Sequence, residues 1–278
     1  PHLPGELMKP ELDSLASRFH ALHADGLLRL PNAWDAGSAR LAQAAGARAI
    51  ATSSAAVAWA HGWPDGDLLP VELVLQTTRA VAGATDLPVT VDIEGGYSDE
   101  PARVGALATG LLEAGAVGIN IEDGSKDTAL LCAKIAAVRA AANRAGVDLF
   151  INARIDVWLR GLVPAAERVA ETLARAARYR DAGANGLFAP GITDAGEIGA
   201  LVAGTDMPVN VLAWTGLPDA GCLQALGVRR LSAGSGISEA MHGHVLAMMR
   251  EFVASGRVDA AAGQPATYGE VQALMARR

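Results

Sequence analysis

Two short segments hold the residues best suited to chemistry: Val89-Thr90-Val91-Asp92-Ile93-Glu94-Gly95-Gly96 and Val117-Gly118-Ile119-Asn120-Ile121-Glu122-Asp123. Each is a β-branched run that ends in carboxylates. Side chains two apart on a strand point the same way, so Asp92 is expected to share a face with Glu94, and Asn120 with Glu122. Asp92, Glu94 and Glu122 would then meet beyond the ends of neighbouring strands. Enclosing that much negative charge without a partner is costly, and a bound divalent cation is the economical explanation. The set contains only oxygen donors, which favours Mg²⁺, or Mn²⁺ in its place, over zinc. Mg²⁺ also keeps several waters, so some of these carboxylates would reach it through water.

Asn152-Ala153-Arg154-Ile155-Asp156 repeats the pattern with Asn152, Arg154 and Asp156 on one face. An arginine beside acids can neutralise them, or it can clamp a substrate carboxylate and stabilise an enolate; the second role is expected here. Thr52-Ser53-Ser54-Ala55-Ala56 offers hydroxyls and successive N–H groups, a weak signal for an anion cradle. Asp65, in His61-Gly62-Trp63-Pro64-Asp65, reads by itself as a turn former. Gly234-Ser235-Gly236 suits a phosphate site or a helix N-cap equally well. Cys132 falls inside a helical pattern and reads as a small buried hydrophobe, while His242 and His244 point to different helix faces and suggest no metal pair.

These residues need a frame that brings strand ends together. Strand patterns occupy 27–30, 47–53, 88–94, 117–123, 148–154, 185–189, 208–213 and 229–233, and helical patterns 36–45, 71–82, 101–114, 128–145, 164–182, 195–202, 218–226 and 238–254. Asp194 and Ser98 are placed at or near N-caps, Pro101 and Pro164 in first turns, and Gly46, Gly115, Gly146, Gly183 and Gly227 after helix ends. Ala-Gly-Ala recurs at 45–47, 114–116 and 182–184, each time just before a strand. Eight strand–helix pairs without a clear linker favour one (β/α)8 barrel over an open doubly wound sheet. The unusual polar residues Asn32, Ser53, Ser54, Asp92, Glu94, Glu122, Arg154, Asp156 and Asn210 then fall at or near strand C-terminal ends, the catalytic face of such barrels. Residues 1–26 are expected to form an N-terminal helical segment, 27–254 the barrel and 255–278 a C-terminal helical extension, all in one domain.

Composition sets limits. Of 278 residues, 51% are hydrophobic but only 4% aromatic, which suits a core of small and branched aliphatics packed on buried parallel strands. A net charge of −7 with no Lys/Arg cluster argues against a nucleic-acid partner. The longest uncharged stretch, 50–64, is broken by polar residues, so no membrane span is expected, and no signal peptide is recognised. Two cysteines, Cys132 and Cys222, form neither a disulfide framework nor a metal set, and a reducing cytoplasm is expected.

Taken together these motifs resemble the isocitrate lyase/phosphoenolpyruvate mutase superfamily, over nearly all of the chain from about Leu30 to Val253. Asn32-Ala33-Trp34-Asp35-Ala36-Gly37-Ser38-Ala39 is similar to its opening motif, Thr52-Ser53-Ser54-Ala55 to its substrate-anchoring turn, and Gly62-Trp63-Pro64-Asp65 to its Gly-Tyr-Pro-Asp. Asp92-Ile93-Glu94-Gly95-Gly96-Tyr97 is similar to its Asp-Ala-Asp-Thr-Gly-Tyr, Gly118-Ile119-Asn120-Ile121-Glu122-Asp123 to its Gly-Ile-His-Ile-Glu-Asp, and Ala153-Arg154-Ile155-Asp156 to its Ala-Arg-Thr-Asp. The resemblance implies Mg²⁺ held near Asp92, Glu94 and Glu122, with Asp65, Glu122 and Arg154 as catalytic candidates. It also implies a 2-oxo or 2-hydroxy acid bound among Trp34, Ser53, Ser54, Ala55, Asn120, Arg154 and Asn210, and a homo-oligomer, dimer or tetramer, in which the eighth helix, 238–254, is exchanged between subunits.

One departure is informative. The lyases carry a Lys-x-Cys-Gly loop after Ile-Glu-Asp, whereas this chain reads Gly124-Ser125-Lys126-Asp127-Thr128 and has no such motif. The expected activity is therefore carbon–carbon lyase or decarboxylase chemistry on a small 2-oxo acid, in particular a dicarboxylic one, through an enolate. The alternatives are a phosphonate or phosphoenolpyruvate mutase or hydrolase of the same superfamily, and a non-catalytic 2-oxo acid binder.

Overall fold

The computed structural model describes residues 9–257 and 266–276; the expected N-terminal stretch 1–8 and parts of the C-terminal extension, 258–265 and 277–278, lie outside the described residues. Pro31 marks the seam at which the sheet closes. It divides the first strand into β1 (Leu28–Leu30) and β2 (Asn32–Ala33). Having no N–H, Pro31 cannot donate to a ladder, but its carbonyl still accepts from Ala51 N (3.1 Å).

The other strands are β3 (Ile50–Thr52), β4 (Val89–Asp92), β5 (Gly118–Glu122), β6 (Phe150–Arg154), β7 (Gly186–Ala189), β8 (Val209–Leu212) and β9 (Arg230–Ser232). All pairings are parallel, in the order β1-β9-β8-β7-β6-β5-β4-β3-β2. Because β1 and β2 are halves of one strand, this order runs round a ring, and the fold is a (β/α)8 barrel.

The helices are α1 (Lys9–Ala21), α2 (Ala36–Ala44), α3 (Ser54–Ala60), α4 (Val71–Ala82), α5 (Pro101–Glu113), α6 (Thr128–Ala145), α7 (Arg168–Asp181), α8 (Ala195–Ala203), α9 (Ala220–Ala225), α10 (Gly236–Ser255) and α11 (Tyr268–Ala276). Among the described residues, none is long and apolar enough to cross a membrane. The Ala-Gly-Ala joints work as helix stops. Gly46, Gly115 and Gly183 have φ of +87°, +99° and +116°. The next N–H of each reaches back five residues, as in Ala116 N to Leu111 O (2.9 Å) and Ala184 N to Tyr179 O (2.9 Å).

Two local expectations are corrected. The strand expected over 47–53 stops at Thr52, because Ser53 caps the unforeseen α3, its Oγ accepting from Ala56 N (3.4 Å). Pro164 does not open an α-helix: it precedes a single 3₁₀ turn at Ala165–Glu167, and α7 begins at Arg168.

The barrel floor is aromatic. Phe19 on α1 meets Phe150 edge to face at 5.4 Å, and the His23 ring stacks on Phe150 at 4.2 Å. Gly118 makes room for this plug, since a Cβ there would lie 2.7 Å from Phe19 Cε1. His23 donates Nδ1–H to the Phe19 carbonyl (2.8 Å). Burial, reinforced by the Arg230 charge, pushes its pKa down to about 3.

His23 is thus neutral in the fold and charged in the unfolded chain below about pH 6.5. Stability tied to it is complete above that pH and is lost as pH falls toward 3. Between pH 6 and 4 the loss is about 2 kcal/mol. In denaturant titrations, His23→Gln is expected to show a shallower decline over this interval than the unmodified protein, whatever its absolute stability; parallel declines would exclude the effect.

At the other end of the chain, α10 runs two residues earlier and one later than expected. Ser238 is its one buried residue, while Ile237, Leu246, Met249, Phe252 and Val253 are exposed. α11 packs on α2, with Met275 Cε 3.8 Å from the position a Gly37 Cβ would take.

Candidate active site

Alternation along the strands decides which residues enter the barrel mouth. On β5, Glu122 faces inward and the next residue, Asp123, faces outward to α7. There Asp123 is buried and accepts from Asp156 N (3.0 Å), Arg175 Nη1 (2.9 Å) and Tyr179 OH (2.9 Å). It is a structural carboxylate, and the α6 N-cap is Asp127.

On β6, Arg154 aims at the same mouth. Its Nη1 lies 2.6 Å from Glu122 Oε2, and its Nε and Nη2 donate to the two oxygens of Asp156 at 2.7 and 3.1 Å. Three of its donors are therefore committed to carboxylates of the chain. Asp156, fully buried, also accepts from Arg160 Nε (2.9 Å). Arg160 Nη2 stands 3.7 Å from Glu122 Oε1.

Asp92 ends β4. Its N–H donates to Thr52 Oγ1 (3.0 Å), while its carboxylate accepts long bonds from Ser54 N (3.4 Å) and Glu94 N (3.3 Å).

Glu94 does not continue the alternation expected of it. The strand stops at Asp92, and Glu94 takes φ +52°, so its side chain is directed by a turn rather than by the pleat. It is buried and accepts from Gly66 N (2.9 Å) and Asp67 N. Asp67 in turn accepts from Gly95 N (3.2 Å) and Tyr97 N (3.0 Å). The 65–67 loop thereby fastens the β4 turn, and an added Cβ at Gly95 would come 2.8 Å from Asp67 Oδ2. From beneath, buried Lys134 on α6 donates Nζ to the Gly95 carbonyl (2.7 Å). Asp65 itself is exposed on this loop, and its charge contributes to the environment of Asp92 and Glu94.

The carboxylates share an electrostatic burden. Burial raises the Asp92 pKa above the usual range despite Arg154. Burial, with the charges of Asp65, Asp67 and Asp92, lifts Glu94 to about 7 against the backbone N–H of Asp67. Glu122 is pushed to about 8 by burial, with Asp156 and Asp92 adding and Arg154 and Arg160 opposing. Glu94 Oε1 is buried with no hydrogen-bond partner. An all-oxygen set, raised pKa values and an orphaned carboxylate oxygen fit a hard divalent cation. Among the described residues no three His, Cys, Asp or Glu side chains could hold an ion by themselves, so water would complete the sphere.

Asn120 and Asn210 lie deeper. Asn120 is two residues, about 7 Å, back along β5 from Glu122. Its Oδ1 accepts from Asn152 Nδ2 (2.9 Å) and Arg230 Nη2 (3.1 Å). Asn210 Oδ1 accepts from Asn152 (3.0 Å), and its Nδ2 donates to Val211 O (2.8 Å). The centre of this network, not anticipated from the sequence, is Arg230, which is 1% exposed in the barrel interior. Burial pulls its pKa down to about 9 against the attraction of Asp92, and Nη1 has no partner. The available signal was a cation at an inward position of Arg229-Arg230-Leu231-Ser232, a strand otherwise built for burial.

Ser53, Ser54 and Ala55 begin α3 beside Asp92, and Ser54 and Ala55 carry the first N–H groups of that helix, which no helical carbonyl can satisfy. Trp34 is partly buried behind the α2 cap, its backbone N–H donating to Ser38 Oγ (3.0 Å). Asn32 ties the seam together, donating to Thr52 O (2.7 Å) and accepting from Gly234 N (2.8 Å). Ser235 Oγ donates to Glu239 (2.6 Å) and makes no cap bond. Cys132 stays on α6, 3.8 Å from the Arg178 carbonyl.

Comparison with known proteins agrees with this geometry. Residues 19–253 match the family described as phosphoenolpyruvate phosphomutase. An uncharacterized protein of Mycobacterium tuberculosis (strain H37Rv) is 41% identical over 223 residues, 78% of this chain and 81% of its own. The oxaloacetate decarboxylase of Bradyrhizobium sp. (strain ORS 278) is 30% identical, over 68% of this chain and 67% of its own. A crystal structure from Burkholderia cenocepacia J2315, provisionally described as a lyase/mutase, superposes with a TM-score of 0.87 at 34% identity, covering 96% of this chain and 98% of that one. 2-Methylisocitrate lyases also stand among the relatives. The barrel, its mouth and these matches lead to one statement: the chain belongs to the phosphoenolpyruvate mutase family, within the isocitrate lyase/phosphoenolpyruvate mutase superfamily of lyases and mutases.

Proposed function

We propose that this chain is a divalent-cation-dependent enzyme that cleaves a carbon–carbon bond of a small 2-oxo dicarboxylic acid, with decarboxylation as the leading reaction. The observation that carries the reading is the meeting of Asp92, Glu122, Arg154 and Asp156 at the barrel mouth. Asp92, Glu94 and Glu122 would hold Mg²⁺, in part through water, and the cation would supply Lewis-acid polarisation of the 2-oxo group. The first turn of α3, Ser53 to Ala55, takes the adjacent carboxylate, with Trp34 at its side. Asp65, on the loop that fastens Glu94, tunes the carboxylate cluster.

With oxaloacetate the C3–C4 bond breaks and carbon dioxide leaves. The electron pair of that bond passes into C2–C3 to give an enolate, which then takes a proton from water. Arg154, held flat by Asp156, offers its charge to the developing oxygen. Asn120 and Asn210 keep the strands beneath in register through the Asn152 and Arg230 bonds. No acid from the β5–α6 loop is needed, because carbon dioxide departs without a proton. That loop has other duties: Lys126 pairs with Asp99 (2.6 Å) and Asp127 caps α6.

The test is pyruvate formation from oxaloacetate with Mg²⁺ or Mn²⁺, measured over the rate given by the metal alone. Turnover abolished by chelation is expected. No turnover of any acid in a panel of 2-oxo and 2-hydroxy acids would sink the proposal.

A second reading, phosphonate chemistry, is favoured by the family match over residues 19–253. It predicts a changed phosphorus resonance when phosphonopyruvate is added.

We further infer that copies of this chain associate through α10, whose exposed apolar residues have no counterpart to cover them within the described chain.

A further inference from the structure

We propose that Arg160 reads the second carboxylate of the substrate and so sets the preference for dicarboxylic over monocarboxylic 2-oxo acids. The inference rests on the 2-oxo acid reading given above.

Arg154 is 17% exposed and has three donors on carboxylates at 2.6 to 3.1 Å. It is fixed in place by Glu122 and Asp156. Arg160 is 46% exposed, in the turn that follows β6. One short bond anchors it, Nε to Asp156 Oδ2 at 2.9 Å, while the far end of the guanidinium makes only a loose contact, Nη2 to Glu122 Oε1 at 3.7 Å. Beyond about 3.5 Å such a contact is no longer a hydrogen bond. A cation drawing on Glu122 would compete directly for that loose partner, leaving Nη2 to another anion.

The bed on which Arg160 lies supports the same role. Gly124 has φ +55°, and the place of its missing Cβ is 3.7 Å from Arg160 Nη2 and 3.8 Å from Cζ and Nε. The guanidinium therefore rests across the backbone just after Glu122 and Asp123, above the strand that supplies a site carboxylate. The other cation nearby on that loop, Lys126, is held by Asp99 at 2.6 Å.

A monocarboxylic 2-oxo acid spends its carboxylate and oxo group at the metal end of the site. A dicarboxylic acid brings one more negative charge into a mouth already crowded with Asp92, Glu94, Glu122 and Asp156. Without a matching cation that charge is repelled; a half-exposed, singly anchored arginine can accept it in bidentate fashion.

The test is calorimetric binding to the full chain with saturating Mg²⁺. It compares 3,3-difluorooxaloacetate and 2-oxoglutarate with pyruvate and 2-oxobutyrate. Arg160→Gln is expected to weaken the two dicarboxylates by about ten- to a hundredfold. The same substitution should alter the monocarboxylates by less than about twofold, and Arg160→Lys should fall between. Equal losses for both ligand classes, or an unchanged dicarboxylate affinity, would overturn the assignment. So would an unmodified protein that binds monocarboxylates as tightly as dicarboxylates, which leaves the 2-oxo acid reading standing. An unmodified protein that binds neither class in Mg²⁺ overturns that reading itself.

Discussion

Asp92→Asn should separate stability from function. In the metal-free protein its melting temperature is expected to be no lower than that of the unmodified chain. Asp92 is a carboxylate whose ionisation is already disfavoured by burial, and its own hydrogen bonds, at 3.3 and 3.4 Å, are long. A neutral amide of the same shape relieves that cost, and its single oxygen still accepts one of the two bonds, which run from Ser54 N and Glu94 N to different oxygens of Asp92.

The functional effect goes the other way. Removing one charged oxygen donor from an incompletely enclosed site should lower Mg²⁺-dependent oxalate affinity by about two orders of magnitude or more. Mg²⁺ with oxalate at a hundred times its dissociation constant should stabilise the unmodified protein by about 3 kcal/mol. The same additions should stabilise Asp92→Asn by no more than about 0.4 kcal/mol. Scanning calorimetry with and without Mg²⁺ and oxalate reads both effects; a variant that is less stable and binds as before would contradict the role given to Asp92.

The second large effect concerns assembly. α10 has 20 residues and would be about 30 Å long, yet buries only Ser238. Leu246, Met249 and Val253 follow one another at spacings of three and four, so they line one side of the helix, with Phe252 beside them. Exposures of 48%, 60%, 85% and 55% for Leu246, Met249, Val253 and Phe252 leave a long apolar stripe in water unless a second copy covers it. Light scattering should therefore give a mass of two chains or a multiple of it. Met249→Glu with Phe252→Glu should reduce it to that of one chain, since buried glutamates in an apolar interface lack partners. A single-chain mass for the unmodified protein, or an unchanged mass for the double variant, would exclude this use of α10.

Much of the frame was legible because it depends on local rules. The Ala-Gly-Ala joints could be read directly, since a left-handed residue after a helix almost requires glycine. The inward aim of Glu122 and Arg154 followed from strand alternation.

Glu94 shows where that rule ends. Its turn is set by Asp67, which lies 27 residues earlier and bonds to Gly95 and Tyr97, a contact that no local pattern announces. Asn120 and Asn210 were expected at the ligand; their amides are instead engaged with Asn152 and Arg230 further down the barrel. Arg160 escaped notice for another reason. It follows Asp156 by four residues, a spacing that reads as an ordinary helical ion pair, and only the return of the chain over Gly124 places it at the mouth.

The split first strand has a consequence for how the molecule is made. Leu28, Arg29 and Leu30 find their ladder partners at Arg230, Leu231 and Ser232, about two hundred residues away, whereas Asn32 and Ala33 pair with Ala51 and Thr52. One half of the strand can be satisfied early, and the other must wait until almost the whole barrel sequence has been synthesised. Ring closure is therefore the step of greatest loop entropy and the natural last event of folding, with β1 left as an unpaired edge until β9 arrives. During that interval the nascent chain is an open curved sheet, in the state most exposed to mispairing with a neighbour.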